Sequence, residues 1–216
     1  SDVIGRIASY AGLLYYADTS DSARAKFFGD TQNRITAIST DLVFFELELN
    51  KIDDATLAAV LKHPDLARYT PWFEDLRKEK PYQLDEQLER LFMEKSATSR
   101  SAWDRLFNET MTALRFDVEG EPKPLSLEPT LNFMMHPDPA KRKAAAEALA
   151  KVFQSNIRLF TLITNTLAKD KEISDRWRGY KDVADGRHLS NRVEREVVEA
   201  LVAAVRDAYP RTAHRS

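Results

Sequence analysis

Residues 27–52 read FFGDTQNRITAISTDLVFFELELNKI. Within them Phe28, Thr31, Ile35, Ile38, Leu42, Phe45, Leu49 and Ile52 recur at alternating steps of three and four. On a helix that spacing lays the side chains along one stripe, the seam of a bundle. The pattern predicts one helix over 20–50. About 30 residues at about 1.5 Å each make a rod on the order of 45 Å long. An element of that length decides the class: mainly α, a multi-helix bundle.

The rest of the chain is read outward from this rod. A second long helix is predicted over 139–169, opened by Asp138-Pro139. Its seam is Ala145, Leu149, Val152, Asn156, Leu159, Ile163 and Thr166, with Asn156 fixing register. Shorter helices are predicted over 1–18, from Asp53 to near His63, and over 71–79, 85–97, 100–114, 129–135 and 192–208. Asn191 and Glu194 have capping-box spacing before the last of these. The first helix opens at the first residues, so the start reads as a cut end; Gly5 and Gly12 on it are expected to let a neighbouring backbone approach. Residues 174–189 read as irregular. One β feature is expected, a small hairpin near 114–127. There Leu114, Phe116 and Val118 alternate with polar residues, Gly120 and Pro122 turn, and Leu125 and Leu127 alternate again. No repeat of solenoid length occurs. The organisation expected is one helical lobe, 1–216, made of a first helical part (1–113), the hairpin (114–127) and a second helical part (128–216).

Composition narrows the function classes. The net charge is −2, so no global field draws the chain to nucleic acid or an anionic membrane. Cysteine is absent, which removes disulfides and thiolate metal sites and favours a cytoplasmic setting. No apolar run approaches the roughly 20 residues of a membrane span, and residues 1–17 carry charges unlike a signal peptide.

Each candidate for chemistry has a structural reading beside it. Of the four histidines, His63 and His136 precede proline, read as helix C-termini, and are expected to cap them. No histidine pair has the spacing of four that puts two imidazoles on one metal. Asp85, Glu86 and Glu89, like Glu46 and Glu48, read as solvated helix faces. Lys141-Arg142-Lys143 reads as a solvated first turn, with an anion contact as the sharper alternative. Phe92, Trp103, Phe107, Trp72 and Phe73 read as core. There is no glycine-rich phosphate loop and no Gly-x-Ser-x-Gly elbow. Arg176-Trp177-Arg178-Gly179-Tyr180 stands apart, dense in donors and rings at a predicted loop where ligands or other lobes are contacted.

Several segments, in order, resemble the oligoendopeptidase F family, zinc peptidases related to thimet oligopeptidase. These are Gly5-Arg6-Ile7-Ala8-Ser9-Tyr10-Ala11-Gly12-Leu13, then Phe44-Phe45-Glu46-Leu47-Glu48-Leu49-Asn50 with Ile52-Asp53-Asp54, then Ala102-Trp103 with Leu106-Phe107. Arg178-Gly179-Tyr180 and Arg187-His188-Leu189-Ser190-Asn191 with Val193-Glu194 follow. His214-Arg215 is similar to the start of the family's HRYY, with Ser216 where the family has tyrosine.

The resemblance implies the amino-terminal helical lobe of a zinc-dependent oligopeptidase, a wall that admits short unfolded peptides to a cleft. In that family an H-E-x-x-H helix and a later Glu hold zinc; all of these would lie beyond residue 216. No catalytic residue and no metal ligand are therefore assigned in this chain, which is expected to be inactive and to bind no zinc itself. Arg178, Tyr180 and His188 are the residues expected to contact peptide or the catalytic lobe. The implied partners are an oligopeptide and the catalytic lobe of the same protein, with neither nucleic acid nor membrane. Self-association through a bared apolar face is also expected. The rival reading is a helical-bundle interaction module with no peptidase parent.

Overall fold

The computed structural model describes residues 2–212. Among them the chain forms α1 (Asp2–Ala17), α2 (Ser22–Lys51), α3 (Asp54–Val60), α4 (Pro64–Ala67), α5 (Thr70–Glu79) and α6 (Glu86–Lys95). There follow α7 (Arg100–Ala113), α8 (Leu127–Phe133), α9 (Pro139–Ser155), α10 (Ile157–Arg178), α11 (Asp185–Ser190) and α12 (Arg195–Ala208). Two 3₁₀ turns, Lys80–Tyr82 and Tyr209–Arg211, complete the set. The mainly helical class holds. No described helix is long and apolar enough to cross a membrane.

The hairpin near 114–127 does not form. Among the described residues there is no strand, only one antiparallel bridge, Phe116 to Leu125, made by a reciprocal pair of 2.9 Å backbone hydrogen bonds. Pro122 and Pro124 remove two amide donors from the returning arm, and Leu127 already opens α8, so no ladder can extend. Gly120, at φ 90°, makes the turn.

Contacts divide the chain into two compact units: residues 1–41 with 90–170, and residues 42–89 with 171–216. The first unit has its core where the bridge meets α9. Phe116 is fully buried with Val118, Ala148 and Leu149, and Leu114, Leu125, Leu127, Val152 and Phe153 pack around them. Rings continue the core from Phe116 to Phe153 to Phe160 to Phe107 in edge-on contacts of about 6 Å. A second cluster joins α1 to α2. Tyr15 stacks on Phe28 at 4.7 Å beside Ala11, and its hydroxyl donates to Glu109 Oε1 on α7 at 3.2 Å. Gly12 faces the Phe28 ring and Gly5 faces open space, so neither glycine receives a neighbouring backbone.

In the second unit Leu57 and Leu76 are buried, and Arg77 on α5 closes the end of α2. Its guanidinium donates to the Asn50 carbonyl at 2.7 Å and to the Ile52 carbonyl. Those are carbonyls that a helix C-terminus leaves without an intrahelical partner, and a cation there also meets the negative end of the dipole. Asn50 is itself buried, donating to the Leu76 carbonyl and to Gln83 Oε1.

Four helix readings are corrected. Burial along α2 follows the expected stripe as far as Ile35 and then turns to Thr40, Val43, Leu47 and Asn50, leaving Ile38, Leu42 and Phe45 about half exposed. The second long helix breaks at Asn156, which leaves helical geometry at φ −104° and bonds back to the Val152 carbonyl, separating α9 from α10. The later segment runs on as helix to Arg178, and α11 occupies much of the stretch read as irregular. Glu194, not Asn191, precedes α12, and it makes no side-chain cap. The aromatic group read as one core is divided, Trp72 and Phe73 in the second unit and Phe92, Trp103 and Phe107 in the first.

Candidate functional site

The residues singled out by sequence, Arg178, Tyr180 and His188, all fall in the second unit. Gly179 decides how the first two are presented. At φ 75° it takes the left-handed conformation that ends α10. The Gly179 amide donates to the Arg176 carbonyl and the Tyr180 amide to the Asp175 carbonyl, a Schellman closure. The turn sends Tyr180 onto Tyr82, with ring centroids 4.5 Å apart and nearly parallel.

Arg178 grips α6. Its two terminal nitrogens donate to the two oxygens of Glu89 at 2.7 and 2.8 Å, and one also donates to the Tyr82 carbonyl at 3.2 Å. The Leu84 amide gives Glu89 a further hydrogen bond. Burial alone would raise the Glu89 carboxyl, but the Arg178 and Leu84 hydrogen bonds outweigh it and hold the group below the usual glutamate range. The Glu89 hydrogen bonds raise the Arg178 guanidinium further, and burial partly opposes them. Glu89 is thus a half-buried ionic anchor, not the solvated face its neighbours Asp85 and Glu86 suggested. Burial raises the Tyr180 phenol, and Arg178 partly opposes the shift.

His188 takes a separate place, half-buried in α11, which packs on α5. Its carbonyl accepts from the Val193 amide while the Arg192 amide donates to Leu189. That is a second Schellman closure, but with Arg192 in the left-handed position at φ 53°, where glycine is usual. The Arg192 side chain reaches Asp75 on α5 at 2.9 Å, and Lys78 on the same helix reaches Glu194 at 3.3 Å. Glu79 nearby is raised by burial, with Glu46 and Asp75 adding and Arg178 and Arg192 opposing. The loop between α10 and α11 is tied by Asp185, which accepts from the Lys181 and Asp182 amides and pairs with Arg195.

Sequence reasoning singled out Arg178 and Tyr180 but read Arg176-Trp177-Arg178 as loop, whereas these three residues close α10, and it missed the braces. Glu89, Tyr82, Asp75 and Arg192 carry no local motif; only folding sets them against their partners. The remaining candidates serve local structure. His63 and His136 accept amide hydrogen bonds from Asp65 and Asp138, at the start of the following helix and not at the end of the preceding one. Arg142 donates to the His136 and Pro137 carbonyls, and Lys143 pairs with Glu147. His214 and Arg215 lie outside the described residues. Among the described residues no group of three or more His, Asp or Glu side chains converges to hold a metal ion, so zinc has no fitting donor set there.

Residues 48–116 match the family model described as Oligopeptidase F. Oligopeptidase PepF of Bacillus subtilis (strain 168) is 25% identical over 213 residues, covering 96% of this chain and 32% of that protein. Group B oligopeptidase PepB of Streptococcus agalactiae serotype III (strain NEM316) is 22% identical over 210 residues, covering 95% of this chain and 35% of its own length. The crystal structure of oligoendopeptidase-F from Enterococcus faecium shares the fold with a TM-score of 0.83 at 20% identity, over 97% of this chain and 41% of that one. The chain spans about a third of the length of the curated relatives it matches.

Proposed function

Since this chain is related to the oligopeptidase F family and matches its amino-terminal helical portion, we propose that it is the non-catalytic lobe of a cytoplasmic, zinc-dependent oligopeptidase. The observation that supports this is colinearity. Nearly the whole chain aligns, in sequence and in fold, with one part of longer proteins, 32% of one relative's length and 41% of the solved structure. The zinc, the base and the attacking water belong in this reading to the remaining polypeptide, and no step of hydrolysis is assigned to residues of this chain. Its contribution is enclosure: stiff helices exclude folded substrates and bulk water from a cleft. Arg178 holds the loop after α10 to α6 through Glu89, and Tyr180 and His188 present that region to peptide or to the catalytic lobe.

The reading frame downstream of Ser216 tests the assignment. An encoded H-E-x-x-H helix is expected; a stop codon soon after Ser216 sinks the proposal and leaves a helical interaction module. Independently, the purified chain with added zinc is expected to leave a quenched fluorescent oligopeptide intact. Turnover abolished by a chelator would refute its non-catalytic role.

A further inference from the structure

α11 is six residues long, and neither it nor α12 contains a buried residue. A helix that short does not persist on its own, and without apolar burial its place on α5 must come from other forces. Two sets of ion pairs supply them. One set is internal: Arg195, in the first turn of α12, pairs with Asp182 and Asp185, so α11 and that turn hold together as one piece. The other set runs outward to α5. Arg192 reaches Asp75 at 2.9 Å and Glu194 reaches Lys78 at 3.3 Å, a cation and an anion set against an anion and a cation. Arg192 is 67% exposed, and Lys78 and Glu194 are 53 and 62% exposed, so salt screens both outward pairs. The left-handed backbone at Arg192 adds nothing to the hold, since straightening that turn relieves a disfavoured conformation.

Beneath this piece lies Tyr180. Gly186 of α11 sits against the hydroxyl end of its ring, so near that a methyl group added there would be 3.5 Å from it. Tyr82 stacks on the same ring, and the half-buried, two-pronged Arg178–Glu89 pair holds the end of α10 in place. From this we infer that α11 with the first turn of α12 is a flap over Tyr180, clasped to α5 by the Arg192–Asp75 and Lys78–Glu194 pairs and released by rising ionic strength. The clasp lets go first because its pairs are exposed, whereas the Arg178–Glu89 anchor is sheltered from solvent ions. Release bares the hydroxyl end of Tyr180 and leaves its stacking on Tyr82 intact. This equilibrium is a property of the chain itself and does not depend on the peptidase reading.

Amide hydrogen exchange followed by mass spectrometry tests this on the intact chain. Between about 0.01 M and about 1 M sodium chloride the screening length falls from about 30 Å to about 3 Å. Over that range peptides covering 185–195 are expected to exchange about threefold faster or more, the scale that weak exposed pairs supply. Peptides from α9, which carries the core of the other unit, are expected to keep their rates and so separate flap release from global unfolding. Asp75→Asn is expected to exchange fast over 185–195 already at low salt and to lose most of the salt response. Lys78→Glu is expected to do the same, and Lys78→Glu combined with Glu194→Lys to restore slow exchange. Lys26→Met, which removes the exposed pair with Asp30 on α2, is expected to leave 185–195 unchanged. Exchange over 185–195 that ignores salt, a salt response shared equally by α9, or a Lys78/Glu194 charge swap that restores nothing would each overturn the proposal.

Discussion

Replacing Glu89 by Gln keeps the shape of the side chain and removes the charge that Arg178 grips. Two hydrogen bonds of 2.7 and 2.8 Å then become at most one, and the new amide group points a donor at a guanidinium that has only donors. The two side chains are 17 and 23% exposed, so solvent can soften the loss only in part. Breaking a fully buried pair from one side costs about 3–5 kcal/mol, and a charge-assisted hydrogen bond contributes about 1.5–3. At this exposure a loss of about 2–3 kcal/mol is expected. Urea unfolding followed by tryptophan fluorescence measures it, since Trp72 and Trp177 both lie in the unit that holds the pair. The double variant with Arg178→Met should recover about 1 kcal/mol or more relative to additivity, because no charge is then left stranded. The pH dependence has a definite sign. The Glu89 carboxyl is lower in the fold than in the unfolded chain, so its contribution is complete above about pH 4.3 and fades as pH falls through the folded value. The gap between wild type and Glu89→Gln should therefore close in acid. A variant less than about 0.5 kcal/mol destabilised at neutral pH, or strict additivity with Arg178→Met, would refute the anchoring role.

Arg77→Met should cost about 2–3 kcal/mol in the same assay, because carbonyls at the end of α2 lose charged donors, and Arg77→Lys should recover only part of this. At Arg192, glycine should be about 1 kcal/mol more stable than alanine, since only glycine is at ease at φ 53°; equal stabilities would remove the strain argument. Spectrophotometric titration of the seven tyrosines should find one ionising at about 12, and Tyr15→Phe should abolish that step. Burial, with Glu109 adding, keeps the Tyr15 phenol neutral in the fold. Its stabilising contribution is full below about pH 10 and is lost as pH rises toward 12, so Tyr15→Phe should flatten the alkaline limb of the stability curve.

Helix existence was legible in the sequence because it depends on neighbours three and four apart, on caps and on prolines. Asp53 accepts from the Thr56 amide and Asp138 from the Ala140 amide, as their positions before apolar-periodic segments suggested. The ordered resemblance that pointed to the oligopeptidase F family was legible for a similar reason, as identities in a fixed order along the chain. The same local rules misled where a different constraint prevailed. The stripe on α2 was read at 3.5 residues per turn, but a straight helix turns at 3.6, so such a stripe rotates by about 20° per heptad. By the end of α2 the side facing Leu76 and Arg77 is that of Asn50, and Phe45 is left outside. The alternation at 114–127 failed because a ladder needs amide donors that Pro122 and Pro124 lack.

Tertiary structure alone decided which charges matter. Glu89 and Asp85 look alike in sequence, four residues apart in one acidic run, yet Glu89 meets a guanidinium 89 positions away and Asp85 caps a helix turn. Arg192 gave no sign of a left-handed backbone, and Asn50 none of its burial beneath α5. Periodicity and capping act within a turn or two and can be read along the chain. Ion pairing and burial depend on distances in space, which exist only once the chain has closed on itself.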